Sequence, residues 1–114
     1  MPTPQPWDIW LVRVPLKDCE DYRPCLILEW RSANRLLIAP LSSQYQLFRS
    51  AFHISISDAD PSFPATGLKR ASYVVGDELR ELSLSRFKCR LGRLEGELLV
   101  RLKTWLGEEG NPHR

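Results

Sequence analysis

Apolar residues fall along this chain in short blocks separated by proline, glycine and charged residues, the spacing of a strand-rich domain. Residues 7–14 (WDIWLVRV) are apolar on both faces except Asp8 and Arg13 and predict a first strand. After Pro15, residues 17–22 read as a charged loop. Then Cys25-Leu26-Ile27-Leu28, an unbroken apolar run bounded by Pro24, predicts a buried strand. Two strands joined by a short polar loop suggest an antiparallel hairpin. Residues 31–34 read as a turn, and 35–39 as a third strand stopped by Pro40. Residues 45–50 fit a short helix or a loop equally well.

The second half continues in the same manner. Phe52, Ile54 and Ile56 alternate with His53, Ser55 and Ser57, the pattern of a half-buried strand. Residues 58–67, with two aspartates and two prolines, read as an irregular loop. Strands are expected over 71–75 and 88–91, with a capped helical turn at 83–87 between them. Leu94, Leu98, Leu102, Trp105 and Leu106 recur at helical spacing and predict a C-terminal amphipathic helix closed by Gly107. Several short strands and one terminal helix define a mainly β fold, a small antiparallel barrel with helical trimmings. The expected organisation is a lead-in at 1–6, one domain over 7–107 and a tail at 108–114.

Composition narrows the classes. At 114 residues with 43% hydrophobic content, the chain builds one ordinary core. A net charge of +2 is too small for bulk electrostatics to argue nucleic-acid binding, although a local basic patch remains open. Cys19, Cys25 and Cys89 form no CxxC pair, and an odd count argues against a disulfide framework. With His53 and His113 the only histidines, a Cys/His zinc site and a histidine-pair acid–base mechanism are both poorly supported. The proline-rich start lacks the charged and apolar regions of a signal peptide, and no apolar run reaches bilayer length, so a cytoplasmic protein with no membrane contact is expected.

GxGxxG, Walker, HExxH and GxSxG signatures are all absent. What remains is a polar set at strand edges: Arg23, Ser42, Ser43, Gln44 and Asp77. Proline at 24 pushes Arg23 toward extended backbone, which places it definitely at a strand mouth. There it reads either as an anion clamp, whose planar fork matches phosphate oxygens, or as an arginine solvating a strand end. Ser42 and Ser43, after Pro40-Leu41, equally suit a turn or cap, and Asp77 after Gly76 a turn.

Taken together, these segments resemble the PemK/MazF-like toxins of type II toxin–antitoxin systems. Residues 7–12 (WDIWLV) are similar to that family's opening strand, which starts with glycine and an acidic residue. Arg23-Pro24-Cys25-Leu26-Ile27-Leu28 resembles its Arg-Pro-aliphatic strand, and Pro40-Leu41-Ser42-Ser43-Gln44 its Pro-aliphatic-Thr-Ser element. Residues 67–74 (GLKRASYV), 77–80 (DELR) and 88–94 (KCRLGRL) follow in the family's order. Departures are Trp7 in place of glycine, a short loop before Arg23, and Ser42 in place of threonine.

The resemblance implies an SH3-like barrel of the CcdB/PemK type with a C-terminal α-helix, usually a homodimer. It implies an endoribonuclease that cleaves single-stranded RNA without a metal or other cofactor, and a cognate antitoxin partner. Carried over, Arg23 matches the catalytic arginine, Ser42 stands at the catalytic threonine, and Asp77 at an acidic position that assists in some members. Ser43, Gln44 and Tyr22 would contact substrate. Other readings are a CcdB-like gyrase poison and a catalytically weak RNA-binding barrel.

Overall fold

The computed structural model describes residues 3–15, 19–43, 53–76 and 78–108, with residues 53 and 106–108 described through their backbone. Strands β1 (Asp8–Pro15), β2 (Glu20–Ser32) and β3 (Arg35–Ser42) form a continuous antiparallel meander. They are followed by β4 (His53–Ile56), a one-turn helix α1 (Phe63–Thr66), β5 (Ser72–Val75), β6 (Arg80–Ser83), β7 (Phe87–Arg93) and the helix α2 (Gly96–Glu108). Every strand pair is antiparallel, in the order β4-β5-β3-β2-β1-β7, with β6 alongside β3.

The expected mainly β fold with a terminal helix is therefore present, but the sheet is not a closed barrel. Among the described residues β4 and β7 end the hydrogen-bonded path without meeting. Curvature comes instead from β3, which pairs with β2 from Arg35 to Pro40, with β6 from Arg35 to Ile38, and with β5 through its last two residues. The change of partner falls at Pro40. Its last pairing with β2 is to Cys25, and neither Pro40 nor the neighbouring Pro24 has an N–H with which to extend that ladder. Beyond this point β2 and β3 part.

Period-two alternation sends side chains to two cores. Ile9, Leu26, Leu37, Ala39 and Leu41 join Leu94, Leu98 and Leu102, so one sheet face is covered by α2 and the residues leading into it. Trp10, Val12, Val14, Cys25, Ile27, Leu36 and Ile38 fill the other, closed by Trp30, Leu84 and Phe87. Arg101 Nη2 donates to the Ser55 carbonyl at 2.7 Å and ties α2 to β4.

Four elements differ from the sequence expectation. β3 does not stop at Pro40 but runs through it to Ser42. The charged loop expected over 17–22 is shorter, because β2 already begins at Glu20; Asp21, Tyr22 and Arg23 face Val14, Arg13 and Val12 in the β1 ladder. β6 and α1 were not expected at all. The helix continues through Gly107 to Glu108, within the variation usual for helix ends. The turn at Leu84–Arg86 is as expected, with Ser83 Oγ accepting from the Ser85 N–H. The segment 45–50, Phe52, His113 and the His53 side chain lie outside the described residues.

Backbone approach is tightest where α1 meets β7. Gly67 follows α1 at φ 72°, with its N–H on the Pro64 carbonyl, and a Cβ there would overlap the Leu91 carbonyl. Gly67→Ala carries both a left-handed backbone penalty of about 1–2 kcal/mol and that overlap. We expect its melting temperature to fall by roughly 10 °C in a thermal scan.

Trp7 is the one non-glycine left-handed residue among the described residues, at φ 73°. A bulky residue at positive φ carries backbone strain. Its amide donates to the Ile27 carbonyl at 2.8 Å and its carbonyl accepts from Leu94 at 2.9 Å. Those two bonds hold the geometry in place.

Candidate active site

The parting of β2 and β3 opens a cavity of about 380 Å³. Arg23 and Pro24 from β2 and Leu41, Ser42 and Ser43 from β3 line it. Arg23 shares a face with Cys25 of one core and Leu41 with Ala39 of the other, so the break in the ladder lets both sheet faces reach the same space. Leu11 and Leu91 add apolar wall, and the loop after α1 closes the side with Gly67, Lys69, Arg70 and Ser72.

Arg23 is half-buried, and its Nε is shielded from solvent with no hydrogen-bond partner among the described residues. A buried guanidinium nitrogen without an acceptor is costly, and an arriving oxyanion would satisfy it. No carboxylate lines the cavity among the described residues, whereas Arg23, Lys69 and Arg70 all do. Lys69 and Arg70 are exposed and carry no ion pair among the described residues. Ser72 Oγ donates to the Arg70 carbonyl at 3.0 Å, which fixes the loop that presents them. Cations and hydroxyls over an apolar wall suit a phosphodiester with its attached base.

Three of the six residues singled out in the sequence, Arg23, Ser42 and Ser43, line this one cavity. Tyr22 does not; its exposed ring lies under Lys88, with Nζ 4.9 Å from the centroid. Gln44 and Asp77 fall outside the described residues. Lys69 and Arg70 received no role from the sequence, although a basic pair between Gly67 and Ser72 was the available signal. No group of three or more His, Cys, Asp or Glu side chains placed to hold a metal ion occurs among the described residues, and no described helix is long and apolar enough to cross a membrane.

The start of β2 is held from outside. Glu20 Oε1 accepts from Arg86 Nη1 at 2.8 Å, and Arg13 lies 3.5 Å from Oε2. The Arg86 hydrogen bond, more than the charges nearby, keeps the Glu20 carboxyl below its ordinary pKa.

Directly beneath Arg23 sits the Cys25 thiol, which donates to the Arg23 carbonyl at 3.6 Å. Burial pushes its pKa from 9.0 to about 12, with Arg23 and Arg80 pulling the other way. It is therefore a neutral packing group rather than a nucleophile. The native state keeps this proton where the unfolded chain loses it. Stability is therefore unaffected below about pH 9 and falls between 9 and 12, by up to about 1.4 kcal/mol per pH unit. Urea denaturation of wild type and Cys25→Ala at pH 8 and pH 10.5 is expected to show the decline in wild type and a shallower one in the variant.

A curved antiparallel sheet thus carries, where its strands part, a cavity lined by an arginine and two serines. The chain belongs to the family of PemK-like, MazF-like toxins of type II toxin–antitoxin systems, whose model matches residues 5–108. Among solved structures it is similar to Mycobacterium tuberculosis toxin MazF-mt6, with a TM-score of 0.65 and 18% identity over 88% of this chain and 92% of that one. At that identity the likeness concerns the fold alone. No curated protein matches the chain.

Proposed function

We propose that this toxin is a metal-independent endoribonuclease that cuts single-stranded RNA, and that it acts in the cytoplasm. The observation that carries the reading is that Arg23, whose Nε is shielded and unpartnered among the described residues, lines one cavity with Ser42 and Ser43. In the reaction the 2′-oxygen attacks phosphorus while the P–O5′ bond breaks and the leaving 5′-oxygen takes a proton from solvent water, leaving a 2′,3′-cyclic phosphate and a 5′-hydroxyl. Arg23 neutralises the charge gathering on the phosphorane oxygens, an electrostatic task worth several kcal/mol in a preorganised site. Ser42 holds a phosphate oxygen or the 2′-hydroxyl, and Ser43 steadies the neighbouring contact. Asp77 takes up the 2′ proton and Gln44 contacts the substrate. Tyr22, at the strand mouth beside Lys88, offers its ring to a flanking base, and Lys69 and Arg70 meet the flanking phosphates.

A cognate antitoxin would occupy the same groove, and a homodimer is the family's usual assembly. Incubating purified protein with a long single-stranded RNA in EDTA and mapping the ends tests the reading. Discrete cuts bearing cyclic phosphate are expected. Intact RNA alongside inhibition of gyrase would replace this reading with that of a protein-binding poison.

A further inference from the structure

Arg80 is the second residue whose Nε is shielded from solvent without a hydrogen-bond partner among the described residues. The sequence assigned it no role, and it does not line the cavity. Its strand, β6, lies on the far side of β3 from β2, and Arg80 pairs with Ile38, which in turn pairs with Ile27. Alternation puts Arg80 with Leu82 and Ile38 on the face that carries Ile27, Cys25 and Arg23. From there its side chain crosses the end of the second core, and Nη1 donates to the Pro15 carbonyl at 3.1 Å. Arg80 and Arg23 both bear electrostatically on the Cys25 thiol.

Two guanidinium groups are thus gathered at one end of one core, and no carboxylate among the described residues pairs with either. A like-charge pair without an anion raises the local positive potential, and burial makes that potential stronger than it would be in water. The bond to Pro15 keeps the Arg80 guanidinium from swinging out to solvent.

We infer that Arg80 is a positioning residue of the Arg23 anion site, a fixed second positive charge that strengthens its hold on a phosphodiester. The inference rests on the nuclease reading for its ligand, though not for its electrostatics. Arg23 touches the phosphate; Arg80 stands behind it. A merely structural Arg80 would affect folding and leave the salt dependence of binding alone.

The test uses the full chain and a single-stranded oligonucleotide with 2′-deoxy sugars, which binds but cannot be cut by 2′-oxygen attack. Affinity is measured from 50 to 300 mM salt for wild type, Arg80→Met, Arg80→Gln and Arg80→Lys. Gln retains a donor for the Pro15 carbonyl without charge, and serves if Arg80→Met does not fold. We expect the uncharged variants to bind on the order of 10-fold more weakly at low salt, with the slope of log K against log salt reduced by roughly 0.7. Arg80→Lys should keep the wild-type slope. An unchanged slope in Arg80→Gln, or a loss in Arg80→Lys equal to that in Arg80→Met, overturns the inference. Wild type that binds with an Arg80-dependent slope but cuts no RNA retires the nuclease reading and leaves this one standing. Wild type that does not bind overturns both.

Discussion

Arg23→Ala is expected to slow RNA cleavage by about 10²–10³-fold, the usual consequence of removing one preorganised charge-stabilising donor. The effect should appear in single-turnover rates at saturating protein, because the charge on phosphorus is larger in the transition state than in the bound strand. Arg23→Lys should recover only part of the rate, since a point charge replaces a planar fork that meets two oxygens at once. Stability should hardly change. The Arg23 Nε has no partner to lose among the described residues, and the bond that Cys25 makes goes to the Arg23 backbone. Melting temperatures of both variants within a few degrees of wild type, with the rate lost, would separate a catalytic role from a structural one. An unchanged rate in Arg23→Ala would remove Arg23 from the chemistry.

How far the residues alone foretold this depends on whether a feature is local. The buried runs at Cys25–Leu28 and at 35–39, the Ser83 cap and the α2 stripe are each specified by neighbours in sequence, and each is present. Glu20 to Tyr22 read as loop because they are polar, yet they are strand. Their extended geometry comes from pairing with residues 13–15 of β1 and from the clasp of Arg86 and Arg13 on Glu20, contacts up to 66 residues apart in sequence. β6 escaped for the same reason: Arg80-Glu81-Leu82-Ser83 has one apolar residue and becomes strand only beside β3. Whether the sheet closes into a barrel is set by which edges meet, which no short pattern encodes. The site follows the same division. Arg23, Ser42 and Ser43 were visible because prolines punctuate the strands that carry them. Lys69 and Arg70 lie on a loop without periodicity and are brought in by the packing of α1 against β7.

The largest effect on stability is expected at Asp8, which is 5% exposed yet carries a carboxylate. Its Oδ2 accepts from the Gln5 amide at 3.0 Å and from the Trp10 indole at 3.3 Å, and its Oδ1 lies 3.3 Å from Arg90 Nε. One side chain therefore joins the start of the chain, β1 and β7. It also sets the Trp10 ring, which meets Phe87 edge-on with centroids 6.2 Å apart. Asp8→Ala removes the acceptor for all three donors at once. Gln5 is exposed and Arg90 partly so, and water can serve both of these. The Trp10 nitrogen cannot be rescued in that way, since the residue is 3% exposed. Leaving that donor unmet and breaking a half-buried ion pair together should cost about 2–4 kcal/mol, or roughly 10–20 °C in melting temperature for a domain of this size. Asp8→Asn keeps an oxygen for Trp10 and loses the charge facing Arg90, so it should forfeit about half as much. A double-mutant cycle with Arg90→Ala measures the ion-pair share directly. A loss in Asp8→Asn as large as in Asp8→Ala would place the stabilisation in the charge rather than in the indole bond. RNA cleavage per folded molecule should be unaffected in either variant, because Asp8 lies outside the Arg23 cavity.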